Sequence, residues 1–166
     1  DLPGDLPPGL AIVAVPARED ARDVLVGAPG GLDALPPGAR VGTGSPRRVA
    51  QLRRARPDLD FAEVRGNVGT RLAKLARGEF DALVLAAAGL NRLGLAPDDM
   101  VPLEVAVCVP APGQGALALE GRADRPELAA ATAMLDDAAT RACLESERTV
   151  LAGLGGGCRE PIGAIA

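Results

Sequence analysis

Short apolar runs alternate along the chain with segments that begin at helix-capping residues, and their spacing is that of βα units. The run LAIVAV at 10–15 is bounded by Pro8 and Pro16, which is typical of a buried strand. Ser45 followed by Pro46 predicts the start of one helix, and Asn67 predicts another. The alternation predicts an α/β fold with a mainly parallel sheet covered by helices.

The same pattern predicts the order of the elements. Strands are expected at 10–15, 24–26, 40–43, 60–64, 104–109 and 116–120, and segment 81–90 is expected to be a strand that ends in a tight turn. Helices are expected at 46–56, 67–77, 126–135 and 137–154.

The chain contains no His, Trp or Tyr and only two Phe among its 166 residues. Without imidazole there is no Ser-His-Asp triad, Cys-His dyad or HExxH zinc site, so acid–base chemistry falls to carboxylates, to Lys74 or to the cysteines. The scarcity of aromatic residues also removes the base-stacking platforms that bind single-stranded nucleic acid. No apolar stretch approaches the roughly 20 residues that span a bilayer, so we expect a soluble, cytoplasmic protein.

Three cysteines, Cys108, Cys143 and Cys158, lack CxxC spacing, which argues against a disulfide framework and a structural zinc. Cys108 in a predicted strand and Cys143 in a predicted helix fit buried small apolar residues. Cys158 follows three glycines and precedes Arg159, which could raise its thiolate fraction. A reactive thiol and a tight structural turn both remain open for Cys158 on spacing alone.

The charge is distributed unevenly. Residues 40–77 contain ten basic and three acidic side chains, a net charge of +7, although the whole chain carries −4. Such asymmetry predicts an anionic ligand or partner for this segment. Arg53, Arg54 and Arg56 fit a solvated helix end, where cations favour the helix dipole.

Four other arginines lie beside predicted strand-to-helix turns: Arg47, Arg48, Arg65 and Arg71. Backbone N–H groups and the helix dipole favour an anion at such turns, and the carboxyl ends of strands are where open α/β sheets bind ligands. Guanidinium groups hold carboxylates through paired hydrogen bonds. These residues therefore predict a site for several carboxylates.

Six blocks, in order, resemble the hydroxymethylbilane synthase family, also called porphobilinogen deaminase. They are DLPGDLPPGL, GTGSPRR, RGNVGTRLAKL, FDALVLAAAGLNRLGL, PAPGQGALALEGR and LGGGCREPIGA, and they cover essentially the whole chain. The resemblance implies an enzyme of tetrapyrrole biosynthesis that joins four porphobilinogen molecules head to tail and releases ammonia. It also implies a covalently attached dipyrromethane cofactor and no metal.

The resemblance assigns roles to individual residues. Asp1 matches the catalytic carboxylate, which stabilises the cation formed when ammonia leaves. Cys158 matches the cysteine that carries the cofactor through a thioether. The residues implied to bind the cofactor are Thr43, Ser45, Arg47, Arg48 and Gly89, and those implied to bind substrate are Arg65, Arg71, Arg92 and Gln114.

The family fold implied by the resemblance has two periplasmic-binding-protein-like α/β domains and a small α+β domain that carries the cofactor. On that pattern, residues 1–15 end the first pass of domain 1, residues 16–110 form domain 2, residues 111–135 return to domain 1 and residues 136–166 begin domain 3. The chain is then a piece truncated at both ends, and we expect it to be inactive alone. The parent is expected to be a monomer without nucleic-acid or membrane partners.

Two other functions compete with this one. A non-catalytic anion-binding module of the periplasmic type would bind its ligand reversibly and leave Cys158 unmodified. A nucleic-acid-binding domain could use the +7 segment, and would bind in a salt-dependent way. The overall acidity and the few aromatic residues disfavour the second.

Overall fold

A computed structural model describes residues 6–155 and 160–166 of the chain. The strands in this part are β1 (Leu10–Ala14), β2 (Asp23–Val26), β3 (Arg40–Gly42), β4 (Asp60–Ala62), β5 (Ala82–Ala86), β6 (Val101–Pro102) and β7 (Leu119–Arg122). The α-helices are α1 (Pro46–Ala55), α2 (Val68–Ala76), α3 (Ala87–Leu93), α4 (Pro126–Thr132) and α5 (Ala138–Gly153). Short 3-10 turns occupy Leu32–Ala34 and Ala133–Leu135. The α/β class is confirmed.

The larger sheet has five strands in the order β4-β3-β5-β2-β6. β3 pairs in parallel with β4 and with β5, whereas β2 pairs antiparallel with β5 and with β6. The prediction of a mainly parallel sheet is therefore wrong, and the sheet is mixed. The chain reaches β2 from the smaller sheet, so that Asp23 at the start of β2 lies opposite Ala86 at the end of β5.

Apolar residues cover both faces of this sheet. Leu25 and Val84 face a buried cluster that Leu52 of α1 completes. Val24 and Leu83 face the opposite cluster, which includes Leu90 of α3 and is flanked by α2. Because neighbours in a strand point to opposite faces, continuous apolar runs such as DVLV and ALVLA suit a sheet that is buried on both sides.

The smaller sheet pairs β1 and β7 antiparallel, from Leu10 opposite Arg122 to Ala14 opposite Leu119. Helix α4 packs against β1. Asp136 and Asp137, just before α5, also bond to this sheet: Val15 N donates to Asp136 Oδ1 at 2.7 Å, and Asp137 N donates to Val15 O at 2.7 Å. These contacts attach α5 to the smaller sheet.

Two segments, 15–22 and 103–118, connect the two sheets, and they are bonded to each other. Glu19 N donates to Gly115 O at 3.0 Å, and Gln114 Nε2 donates to Ala21 O at 2.7 Å. Arg18 Nε donates to Gln114 O at 2.9 Å. The connections thus lie side by side.

The predicted helix starts are confirmed where a side chain caps the helix. Ser45 accepts from Arg48 N at 3.5 Å ahead of Pro46, and Asn67 Oδ1 accepts from Thr70 N at 2.8 Å. Asp137 Oδ1 likewise accepts from Thr140 N at 2.7 Å and begins α5. Each cap satisfies an N–H group that the helix itself leaves without a partner.

Several expected elements need correction. No strand forms at 104–109, because Val107 N and Cys108 N both donate to Glu104 O and close a turn. Cys108 is buried as expected but lies in that turn and not in a strand. The strand nearest this segment is β6, at one edge of the larger sheet, and the strand expected at 116–120 lies at Leu119–Arg122.

Two helical expectations also change. Strand β5 does not end in a tight turn; it leads directly into α3, because the alanines after Ala86 favour helix and Gly94 ends it with a left-handed φ of 62°. The helix expected at 126–135 changes to 3-10 geometry after Thr132. Among residues 6–155 and 160–166, no helix is both long and apolar enough to cross a membrane.

Candidate functional site

A cleft of about 1020 Å³ lies between the carboxyl edge of the larger sheet, the loop 111–118 and helix α5. Its wall contains Gly44 and Pro46 after β3, Glu63 and Arg65 after β4, and Ala88 and Gly89 after β5. Strands β3, β4 and β5 are mutually parallel, so their carboxyl ends open at one edge of the sheet, the usual ligand edge of α/β proteins. Leu144, Arg148 and Leu151 of α5 close the opposite side, together with Glu160 and Ile162.

The structure brings eight of the sequence-predicted site residues to this cleft. They are Ser45, Arg47, Arg48, Arg65, Arg71, Gly89, Arg92 and Gln114. Thr43 is buried beside it, where its Oγ1 accepts from Ser45 N at 3.2 Å, and it lines a smaller adjoining cavity of about 450 Å³. Asp1 and Cys158 lie outside the described residues.

Arg47 and Arg48 are buried at the inner end of the cleft and share one carboxylate. Asp23 Oδ2 accepts from Arg47 Nη1 at 2.7 Å and from Cys108 Sγ at 3.2 Å. Asp23 Oδ1 accepts from Arg48 Nε at 2.9 Å and from Gln114 Nε2 at 2.8 Å. Asp23 is fully buried, with 0% exposure. Each carboxylate oxygen therefore holds one guanidinium group.

Gln114 connects this cluster to the cleft loop. Its Nε2 donates to Asp23 and to Ala21 O, which leaves Oε1 facing the two guanidinium groups. Arg47 Nη2 reaches Oε1 at 3.4 Å and Arg48 Nη2 at 3.5 Å. Both distances are at the long limit of a hydrogen bond, so Gln114 Oε1 holds the two Nη2 groups only weakly. Arg48 Nη2 is also paired with Asp23 Oδ1 at 2.7 Å.

The pKa values in this cluster follow from burial and ion pairing. Burial raises the pKa of Asp23, but the neighbouring Arg48 and Arg47 outweigh it and leave that pKa below its usual value. Burial, followed by the negative charge of Asp23, raises the pKa of the Cys108 thiol to about 12. Cys108 thus stays protonated and serves as a hydrogen-bond donor near neutral pH.

The arginines at the mouth of the cleft are held more loosely. Arg65 is 83% exposed at its side chain and pairs with Glu63 at 2.9 Å. Arg71 Nε donates to Gly66 O at 2.8 Å, and Arg92 Nη2 donates to Gly115 O at 2.9 Å. Backbone carbonyls orient Arg71 and Arg92 without neutralising their charge, so these side chains can bind an anion in the cleft.

The described cleft lining is strongly cationic, with six arginines against two glutamates. No group of three or more His, Cys, Asp or Glu side chains suited to a metal occurs within residues 6–155 and 160–166. Guanidinium groups on the sheet edge and on α5 suit a ligand with several carboxylates.

Residues 1–130 match the family model described as "Porphobilinogen deaminase, dipyromethane cofactor binding domain". The chain belongs to the porphobilinogen deaminase family. The resemblance found in the sequence is thereby confirmed.

The chain is 53% identical to the porphobilinogen deaminase of Roseiflexus sp. (strain RS-1), over 100% of this chain and 55% of that protein. It is 50% identical to the porphobilinogen deaminase of Brevibacillus brevis (strain 47), over 100% of this chain and 54% of that protein. The chain thus spans about half the length of the curated relatives it matches. A crystal structure of YhfZ from Shigella flexneri has a TM-score of 0.36 and 15% identity, over 87% of this chain and 64% of that one, and is too distant to bear on the site.

Sequence reasoning missed several charged residues in or behind this cleft. Asp23 was missed because a β2 parallel to its neighbours would place its first residue at the opposite edge of the sheet from the cleft. Glu63 and Arg148 line the cleft but lie outside the recognised motifs, and Glu160 lies in the last motif without an assigned role. The sequence signal for Asp23 was an acidic residue immediately before the apolar run VLV, since a carboxylate entering a buried strand requires a partner.

Proposed function

We propose that this chain is the cofactor-binding and substrate-binding part of a porphobilinogen deaminase, which joins four porphobilinogen molecules head to tail and releases ammonia. The observation that carries the proposal is the arginine-lined cleft at the carboxyl edge of the sheet in a chain of this family. Each pyrrole unit bears an acetate and a propionate, so the ligand is polyanionic, as the cleft lining requires.

The residues present fit a dipyrromethane cofactor. Four carboxylates need several cations, and six arginines line the described cleft. In that part of the chain, Arg47 Nε is the one buried side-chain nitrogen or oxygen without a hydrogen-bond partner, and Arg47 Nη2 is only weakly satisfied by Gln114. When bound, the cofactor supplies the pyrrole position to which the first substrate unit is joined.

Within this proposal, Arg47 and Arg48 hold cofactor carboxylates at the inner end of the cleft, together with Ser45, Thr43 and Gly89. Arg65, Arg71 and Arg92 hold the carboxylates of incoming substrate near the mouth, with Gln114 between the two sets. Their exposure follows the same order, because Arg47 and Arg48 are buried whereas Arg65 is largely exposed. A buried guanidinium group favours a permanently held group, and an exposed one favours a group that is exchanged.

We further propose that Cys158 carries the cofactor through a thioether and that Asp1 stabilises the cation formed when ammonia leaves. Glu160, two positions after Cys158 in the sequence, lines the cleft, which supports an attachment site at its edge. A carboxylate suits the role of Asp1 because it can stabilise positive charge without an imidazole partner.

The division at 1–15, 16–110, 111–135 and 136–166, with periplasmic-binding-protein-like domains, is part of the same proposal. So are a monomeric, cytoplasmic parent protein and a function without nucleic-acid or membrane partners. The 166 residues alone are proposed to be inactive, since relatives are almost twice as long. Measurable turnover of porphobilinogen by the isolated chain would refute that last point.

Intact-mass measurement of the full-length protein tests the function. We expect a mass increment equal to a dipyrromethane, which is absent from Cys158→Ser and retained in the matched variant Cys143→Ser on α5. An active protein without that increment would contradict the attachment. An unmodified protein that binds anions reversibly and does not consume porphobilinogen would instead identify a non-catalytic anion-binding module.

A further inference from the structure

Asp23 holds the arginine pair but does not itself line the cleft. Its two carboxylate oxygens bind different arginines, since Oδ2 accepts from Arg47 and Oδ1 accepts from Arg48. Gln114 and Cys108 supply one further donor each. With four donor groups around it, the carboxylate has no capacity left for a ligand.

The backbone fixes the inner edge of each guanidinium group as well. Arg47 Nη1 donates to Val109 O at 2.5 Å, and Arg48 Nη1 donates to Val84 O at 3.2 Å. Rotation of either guanidinium group would break a bond to Asp23 and a bond to a carbonyl at once. Both Nη2 groups are therefore held in one orientation and reach Gln114 Oε1 only at 3.4 and 3.5 Å. Arg48 Nη2 also lies 2.7 Å from Asp23 Oδ1, so its second N–H is the one left for a ligand.

The charges of Asp23, Arg47 and Arg48 do not cancel. One carboxylate and two guanidinium groups carry a net charge of +1, in an environment where Arg47 and Asp23 are 3% and 0% exposed. A second buried carboxylate would neutralise the two guanidinium groups. Without Asp23, the two positive charges would lie side by side with no counter-charge. The cluster is matched to one additional carboxylate.

We propose that Asp23 is a positioning residue, which orients Arg47 and Arg48 so that their Nη2 groups together receive one carboxylate of the ligand. This inference rests on the proposed function, because it takes that ligand to be a carboxylate-bearing pyrrole. Gln114 Oε1 occupies the position of that carboxylate when the ligand is absent.

The substitution Asp23→Asn separates positioning from simple electrostatics. It removes one negative charge near a cationic cleft, so electrostatics alone would make an anion bind more tightly. Positioning requires the opposite, because the amide offers one accepting oxygen where the carboxylate offers two, and one guanidinium group is released. The two accounts therefore differ in sign.

The experiment is calorimetric titration of porphobilinogen into the full-length protein with Cys158→Ser, which excludes covalent attachment and turnover. We expect Asp23→Asn to weaken binding roughly tenfold, the cost of a lost charge-assisted hydrogen bond. Asp23→Glu, which restores the charge and both oxygens, should recover part of that loss. Glu104→Gln, at an exposed position outside the cleft lining, is the matched control for loss of one carboxylate and should bind porphobilinogen with unchanged affinity.

Unchanged or tighter binding by Asp23→Asn would overturn the proposal. So would failure of both Asp23 variants to fold, judged by circular dichroism, because Asp23 would then be a structural residue. If the Cys158→Ser protein does not bind porphobilinogen, the proposed function fails at that step, and citrate is titrated as a carboxylate probe instead. A tenfold loss of citrate binding in Asp23→Asn would still support positioning, and an equal or higher affinity would refute it.

Discussion

Arg18 and Glu147, 129 positions apart in the chain, form a two-pronged ion pair between a sheet connection and helix α5. Arg18 Nη1 donates to Glu147 Oε1 at 2.6 Å, and Nη2 donates to Oε2 at 3.0 Å. Glu147 is 1% exposed and also accepts from Gly113 N at 2.6 Å and from Ala166 N at 3.0 Å. One buried carboxylate thus joins the connection, the cleft loop and the last described residue.

We expect Arg18→Met to destabilise the protein by about 3 kcal/mol, because it leaves the Glu147 carboxylate buried without its cation. Urea unfolding of the full-length protein measures this loss. The double variant Arg18→Met/Glu147→Leu should regain part of it, since no unpaired charge remains. Arg122→Met, which breaks the exposed pair with Asp124, serves as the control and should leave the urea midpoint nearly unchanged. An equal loss in both single variants would contradict this account.

Low pH should reduce the free energy of unfolding partly through protonation of Asp23. Its pKa is lowered in the folded state, because the two arginines outweigh the effect of burial. Its contribution to stability is therefore complete above its unfolded pKa of about 3.9 and is lost as the pH falls through its folded pKa. The stability difference between wild type and Asp23→Asn, measured by urea midpoints, should then stay nearly constant from pH 7 to about 5 and narrow below about pH 4. Parallel pH curves for the two proteins would exclude Asp23 as a source of the pH dependence.

Loss of a cation at the mouth of the cleft should weaken substrate binding. We expect Arg71→Gln in the full-length protein to raise the KM for porphobilinogen roughly tenfold, as for one lost charge-assisted contact. Arg77→Gln, at the opposite end of α2 and paired with Glu79, is the matched control. Its KM should stay near the wild-type value. Equal KM values for the two variants would remove Arg71 from the proposed binding set.

The substitution Gly115→Ala should destabilise the protein because the site has no room for a side chain. Its φ is +82°, and a Cβ there would lie 2.5 Å from Glu19 O. Gly38→Ala supplies the control, since Gly38 has a φ of +79° but open space around it. We expect about 1 kcal/mol of destabilisation from backbone strain at Gly38 and about 1–3 kcal/mol more at Gly115 from the clash. Similar thermal midpoints for the two variants would show that the loop can move away from Glu19.

The local features of this fold could be predicted because the responsible residues are neighbours in the chain. Ser45 with Pro46, and Asn67, begin their helices as expected, because a capping side chain bonds to a backbone N–H three positions ahead. The arginines after β3 and β4 meet at one cleft because parallel strands end at a common edge. These inferences needed only the periodicity and the caps.

Strand direction and long-range partners could not be predicted in the same way. An apolar run such as VLV is compatible with either direction in a sheet buried on both faces, so the antiparallel setting of β2 has no local signal. The partners of Asp23 at Arg47, Cys108 and Gln114 depend on that direction. The turn at Glu104 was expected to be a strand because the run VAVCV after it has the β-branched, apolar composition of one. Only Cys108 of that run is buried.

The side-by-side connections at 15–22 and 103–118 have a mechanical consequence. Hydrogen bonds between Glu19 and Gly115 and between Gln114 and Ala21 join the two connections to each other. Two segments joined in this way can bend together, but a twist of one relative to the other would break those hydrogen bonds. Gln114 lies within these bonds and also contacts Arg47 and Arg48, so the position of the two connections determines where its Oε1 faces the two guanidinium groups.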